Sequence, residues 1–272
     1  MIDEGFFSKK PVIGVIHLPP LPGSPCHNIE SSIDFIIDNA IRDAKIYIDN
    51  GVDAIILENF MDAPFAVRVL EPETLSTMSI IAWEIQKEIG KPIGINVLRN
   101  SGVEALSIAC ITGLDFIRVN ALVEHVWAPE GLLTPIARDI MLKKKMLRCN
   151  VKVFADVNVK HGLSMFPLEM AIKETEERGM ADALIVTGQR TGEAPSPGLV
   201  YYVKKISKKP VIIGSGVNLF NIRLYFRIAD GFIVGTYFKK NGVTKNPVDP
   251  ARVSNFMKIV NELRKTLSQD KH

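Results

Sequence analysis

His17, Glu58 and Asp156 each end a short apolar run, in Val12-Ile-Gly-Val-Ile-His17, Ala54-Ile-Ile-Leu-Glu58 and Val151-Lys-Val-Phe-Ala-Asp156. An imidazole titrates near neutral pH, and a carboxylate in partly dry surroundings is tuned upward, so His17 and Asp156 are the expected acid/base pair, with Glu58 as the competing carboxylate. A competing reading makes each of them structural: carboxylates paired with Arg99 or Arg118, and a histidine bonded to backbone. Other run ends carry Asn96, Arg118, Asn120, Asn158 and Thr187, types suited to hydrogen-bonding a polar substrate. Lys160 and His161 follow in Asp156-Val-Asn-Val-Lys-His-Gly. A lysine there offers a charge for phosphate or, if desolvated, an amine for a Schiff base; the charge role is the expected one, with a solvated loop lysine as the alternative. His17, Glu58, Asp156 and His161 are also chemically able to ligate a metal. No His-x-His or His-x-x-x-His spacing supports that use, and no metal is expected.

Two further run ends are built from small residues: Gly214, Ser215 and Gly216 after Lys209-Pro-Val-Ile-Ile, and Gly235 with Thr236 after Gly-Phe-Ile-Val234. Glycine lets backbone approach a ligand, and a helix beginning just beyond directs free N–H groups and a positive dipole end outward. These five residues are the expected phosphate site. A dinucleotide fingerprint needs a third glycine where Asn218 or Phe220 stands, so no dinucleotide is expected, nor any other cofactor. The stretch Gly188 to Gly198 is long for a connection and rich in Gly and Pro, as a lid over a mouth would be, or a variable surface loop.

The elements that must position these residues form an internal repeat. One kind of run is entered through a lysine, as in Lys10-Pro11, Lys91-Pro92 and Lys209-Pro210, with Lys152 in the variant without proline. The other follows a helix end and an aspartate: Asp53, Asp115, Asp182 and Asp230. The two kinds alternate, giving eight strands in four pairs. Continuous apolar runs suit strands buried on both faces. Amphipathic segments separate them. Ile33, Ile36, Ile37, Ala40, Ile41 and Ala44 form a stripe capped by Ser31 or Ser32. Leu133, Ile136, Ile140 and Leu147 mark a helix that starts late, and Asp249-Pro250 opens the last one. This pattern predicts one domain over 1–272, a closed (β/α)8 barrel, with a doubly wound open sheet as the alternative. In such a barrel the strand C-termini carry function, so the polar run ends converge on one rim.

A net charge of +3 is too small to argue for nucleic acid, and none is expected as a partner. Cys26, Cys110 and Cys149 are far apart and odd in number, which predicts a reducing compartment and no disulfide frame. With no export signal and no apolar stretch long enough for a membrane span, a cytoplasmic protein is expected.

The first run and its loop, Val12-Ile-Gly-Val-Ile-His17-Leu-Pro-Pro-Leu-Pro-Gly-Ser24-Pro25, resemble the opening of the BtpA/SgcQ family, as do Phe154-Ala-Asp156-Val-Asn-Val-Lys160-His161 and Ile213-Gly-Ser-Gly216-Val. The resemblance spans almost the whole chain. It implies a barrel of the ribulose-phosphate-binding type, and it links the chain to a cyanobacterial member associated with photosystem I biogenesis and to another among sugar-metabolism genes. It supplies no catalytic residues. The expectation is therefore an enzyme that moves protons on a small phosphorylated metabolite, a sugar phosphate or phosphoribosyl compound, as an isomerase, epimerase or lyase. The alternative is a non-catalytic assembly or regulatory factor with a ligand-binding mouth. Fold analogy adds a homo-oligomer.

Overall fold

Strands with no polar alternation need cover on both faces, and the chain supplies it by closing them on one another beneath a ring of helices. The computed structural model describes Ile2 and residues 5–269. Its strands β1 (Val12–His17), β2 (Ala54–Glu58), β3 (Ile93–Asn96), β4 (Phe116–Val119), β5 (Lys152–Asp156), β6 (Ala183–Val186), β7 (Val211–Ile213) and β8 (Gly231–Val234) form a closed parallel barrel. Each pairs with its sequence neighbours, and β8 closes onto β1 from Val12–Phe232 to Gly14–Val234. One helix follows each strand: α1 (Ile33–Asp49), α2 (Pro72–Glu88), α3 (Gly102–Thr112), α4 (Ala137–Leu147), α5 (Leu168–Glu177), α6 (Pro197–Ile206), α7 (Ile222–Ile228) and α8 (Pro250–Gln269). Ser32 caps α1 by accepting from the Phe35 N–H at 3.1 Å, and Asp249 caps α8 through the Ala251 N–H at 3.0 Å.

Inside the barrel, Ile13, Val15, Ile56, Phe116, Phe154, Ile185, Ile212 and Ile233 pack into one apolar plug, with the rings of Phe116 and Phe154 stacked at 4.7 Å. Above this plug the polar strand ends meet at the C-terminal mouth.

The fourfold repeat has a physical cause at the floor. Asp53, Asp115, Asp182 and Asp230 each use a carboxylate oxygen to accept an N–H at the start of the preceding strand, from Val12, Ile93, Val153 and Val211, at 2.8–3.0 Å. Each returns its own N–H to that residue's carbonyl. The aspartate thus supplies a ladder bond that no strand residue is placed to make.

Two expectations need correction. Cys110 in α3 and Cys149 just after α4 are disulfide-bonded, with Cα atoms 5.6 Å apart. Adjacent helices bring together residues separated by 39 positions, which spacing does not reveal, and Cys26 is left free. Leu133 lies outside the late helix. It ends a short strand, Gly131–Leu133, paired antiparallel with Val126–Ala128, which also takes Leu163–Ser164 as its other neighbour. This small sheet stands on the connections after β4 and β5. No helix among the described residues is long and apolar enough to cross a membrane.

Candidate functional site

Strand register sets the height of each rim residue. His17 pairs level with Glu58, and Glu58 with Asn96, so three successive strands present their last side chains in one layer. Arg118, one residue short of the end of β4, rises into the same layer and binds both carboxylates. Its Nε and Nη2 donate to Asp156 Oδ2 and Oδ1 at 2.9 and 3.0 Å, and Nη1 donates to Glu58 Oε1 at 3.1 Å. All three side chains are buried. Burial opposes the guanidinium charge, but the two carboxylates outweigh it and raise its pKa. Asn120 donates to Asp156 Oδ2 at 3.0 Å, and Asn96 donates to Glu58 Oε1 at 3.3 Å.

The two carboxylates are therefore unequal. Both oxygens of Asp156 are engaged, while Glu58 Oε2 has no protein partner among the described residues. Glu58, Asn96, Arg118 and Asn120 line a cavity of about 500 Å³ whose other walls include Phe60, Phe65, Leu98 and Arg99. The Oδ1 of Asn120 is buried there without a hydrogen bond, and the buried Nε of Arg99 makes none either but faces Glu130 Oε2 at 3.7 Å. Lys160 and His161 form its far edge.

His17 packs on Phe60, ring centres 4.7 Å apart, and on Gly235, where a Cβ would fall 2.8 Å from its Cε1. Its Nδ1 is buried without a partner. Burial, then the charges of Lys239, Lys160 and Arg118, push its pKa well down, so the ring is neutral. Lys160 is fixed through its backbone: its N–H donates to Thr187 Oγ1 at 3.1 Å, and its carbonyl accepts from Arg99 Nη2 at 2.5 Å. Burial and then the Arg118 charge lower its ammonium pKa to about 8. His161 is exposed and accepts from the Thr191 N–H at its Nε2.

The glycine-rich tips form a second, smaller pocket of about 150 Å³ between Gly216, Val217, Gly235 and Thr236, with Gly192 above and Arg252 from α8 at its side. Among the described residues no partner takes the N–H of Gly216, Val217, Thr236 or Tyr237. Ser215 is used otherwise: its hydroxyl donates to the Glu193 carbonyl at 2.7 Å and accepts from the Gly188 N–H at 3.3 Å, tying the loop after β6 across the tip. Gly216 sits at φ +72°, with the Ala194 backbone where a Cβ would be. Gly214 also faces a side chain, since a Cβ there would meet Ile185 and Thr187. A narrow space bordered by His17, Glu58, Arg118, Lys160, Gly214, Ser215, Gly216, Gly235 and Thr236 shares walls with this pocket and with the main cluster.

Of the residues singled out from sequence, only Asn158 stands apart. It is exposed at φ +53°, and only its N–H is engaged, with Glu124. Glu124 itself is buried, bonded to Ser164, and burial raises its pKa. Sequence reasoning missed Phe60, Glu130, Glu124 and Arg252. The first three lie in connections with no motif, and Arg252 looks like any polar residue in a helix's first turn. No group of three or more His, Cys, Asp or Glu side chains able to hold a metal is present among the described residues.

The model of the BtpA family matches residues 8–262. The chain belongs to the BtpA family. A relative from Pyrococcus abyssi, an uncharacterized protein, is 48% identical over 94% of this chain and 98% of its own length. The Photosystem I biogenesis protein BtpA of Synechocystis is 38% identical over 95% of this chain and 91% of its own. Among solved structures, thiamine phosphate pyrophosphorylase from Pyrococcus furiosus superposes with a TM-score of 0.56 at 15% identity, covering 94% of this BtpA-family chain and 98% of that one. At that identity the likeness concerns the barrel fold.

Proposed function

We propose that this BtpA-family barrel is an enzyme that transfers protons on a small phosphorylated metabolite, a sugar phosphate or a phosphoribosyl compound. One observation carries the reading. Backbone N–H groups without partners among the described residues line, with Arg252, a pocket at the tips of β7 and β8, and this pocket shares Gly192, Gly216, Gly235 and Thr236 with a narrow space bordered by Glu58 and Lys160. Free N–H groups at a glycine-rich tip suit phosphate oxygens, and a remote phosphate supplies binding energy that positions the reacting carbons. The name of the thiamine phosphate enzyme fits a phosphorylated ligand in this fold.

Glu58 Oε2 takes the substrate proton. Neutral His17 donates or accepts at a substrate oxygen, while Lys160 lends charge as an enediolate-like anion develops. Asp156 orients Arg118 and Asn120, since its own oxygens are occupied. Ser215 anchors the loop after β6, leaving phosphate contact to the backbone and Arg252.

A thermal-shift screen with phosphorylated sugars and phosphoribosyl compounds tests this, because a ligand that binds only the folded form raises Tm. The expected hit weakens by about ten-fold or more in Arg252→Gln, the loss of one charge-assisted contact. Gly216 is unsuited to this purpose, because any side chain there collides with Ala194. Unchanged affinity in Arg252→Gln, or no phosphorylated hit, defeats the proposal. The 38%-identical Synechocystis relative favours a second reading, an assembly factor. It predicts saturable binding of a protein partner that persists in Glu58→Gln with no turnover in the wild type.

A further inference from the structure

We propose that Lys160 forms a Schiff base with the carbonyl of a phosphorylated aldehyde or ketone. This deepens the preceding reading and rests on it for the phosphate.

A nucleophilic lysine needs a fixed backbone, a free amine and a dry, accessible position. Lys160 meets each requirement. Its N–H and carbonyl are held from the ends of β6 and β3, by Thr187 and Arg99. No hydrogen bond or ion pair takes its ammonium among the described residues. The carboxylates near enough to claim it, Glu58 and Asp156, are both bound to Arg118. Its side chain lines the main cavity and also the narrow space reaching Gly216 and Thr236. Lys160 thus borders both the main cavity and the space next to the glycine tips.

Lys239 is the internal contrast. It is more deeply buried, but its ammonium is paired with Asp43 at 3.2 Å, and it opens onto neither space. Lys160 has the burial without the pairing. With a pKa of about 8, roughly one molecule in ten carries the free amine at pH 7, against a few in ten thousand for an ordinary lysine.

The step balances without an oxidant or reductant. The neutral amine attacks the carbonyl carbon; a C–N bond forms, and the carbonyl π pair moves to oxygen, which takes a proton. The carbinolamine oxygen then leaves as water as C=N forms, so amine plus carbonyl become imine plus one water. Glu58 Oε2 and His17 border the same space and are placed to pass these protons. The protonated imine draws electrons from the adjacent carbon, which eases the removal of a proton there or the breaking of a carbon–carbon bond.

Reductive trapping tests the inference. The full-length protein is incubated at pH 7.5 with glyceraldehyde 3-phosphate or with glyceraldehyde, reduced with sodium borohydride and mapped by peptide mass spectrometry. Lys160 should carry the adduct at least about ten-fold above Lys143, Lys144, Lys145 or Lys239. Inorganic phosphate should suppress the phosphorylated probe alone, and Lys160→Met should lose the adduct. Labelling of Lys160 no greater than that of the surface lysines overturns the proposal, whether or not the variant folds. Preferential labelling by both probes with no phosphate competition keeps the Schiff base and removes the phosphate reading. A phosphorylated probe that raises Tm without labelling Lys160 removes the Schiff base and leaves proton transfer standing.

Discussion

The two ends of this barrel use the same residue types for opposite ends. At the floor, Asp53, Asp115, Asp182 and Asp230 accept backbone N–H groups, and Asp53, Asp182 and Asp230 also meet Arg264, Lys152 and Lys204. Those carboxylates have their partners in place. At the mouth, Glu58 and Asp156 share one arginine, an oxygen of Glu58 is left over, and a lysine is left without an anion. The floor is satisfied by the fold itself. The mouth is satisfied only in part, and buried polar groups without partners are where a ligand gains most.

The largest break in that contrast comes from Arg118→Met. It strands two buried carboxylates and should cost about 3–5 kcal/mol in urea unfolding. Arg118→Lys keeps charge but loses the two-oxygen grip, and should recover only part of this. A loss below about 1 kcal/mol in the methionine variant would mean that the cluster does not depend on its arginine.

Glu58→Gln comes next. The amide oxygen can still accept from Arg118, so ligand binding should persist while turnover on the substrate found by thermal shift falls about 10²–10⁴-fold. A rise in KM with kcat intact would place Glu58 in binding alone.

At the floor, Asp182→Ala should cost about 1 kcal/mol of stability, the net worth of one bond to the Val153 N–H, with kcat and KM unchanged. Any kinetic effect would erase the division between the two ends.

A pH dependence separates the two ends in another way. Because burial lowers the Lys160 pKa to about 8, the unfolded chain binds more protons than the folded one between about pH 8 and the ordinary lysine value of about 10.4. Lys160 therefore weakens the fold below that window, and its penalty fades as pH rises through it. Lys160→Met should be the more stable protein at pH 7, with the gap closing by pH 10. A gap that stays constant over that range would show an ordinary lysine.

Most of the architecture was legible because it repeats. Lysine before one kind of strand and aspartate before the other recur at each pair, and the aspartates do so for a reason visible in their hydrogen bonds. The rim was legible for a related reason: polar groups ending apolar strands have nowhere to go but the mouth. The partnerships on that rim were not legible. Whether Arg118 takes Glu58, Asp156 or both depends on rotamers and register across β2, β4 and β5. The use of Ser215 to hold a loop depends on where residues 188–196 travel after leaving β6. The disulfide was hidden likewise, since Cys110 and Cys149 meet only when α3 and α4 pack side by side.

His17, Glu58 and Asp156 began as an expected acid/base pair, His17 with Asp156, and a competing carboxylate, Glu58. Their residue types, spacing and place at strand ends are local properties, and the sequence by itself determined those along with the eightfold alternation. The tertiary structure decided their inequality. Barrel closure brings Arg118 to both carboxylates, saturates Asp156, spares one oxygen of Glu58 and leaves Lys160 unpaired beside them. Pairing in a dry interior is set by which groups arrive within about 3 Å of each other, and residues separated by 38 and 60 positions do so only in the closed barrel.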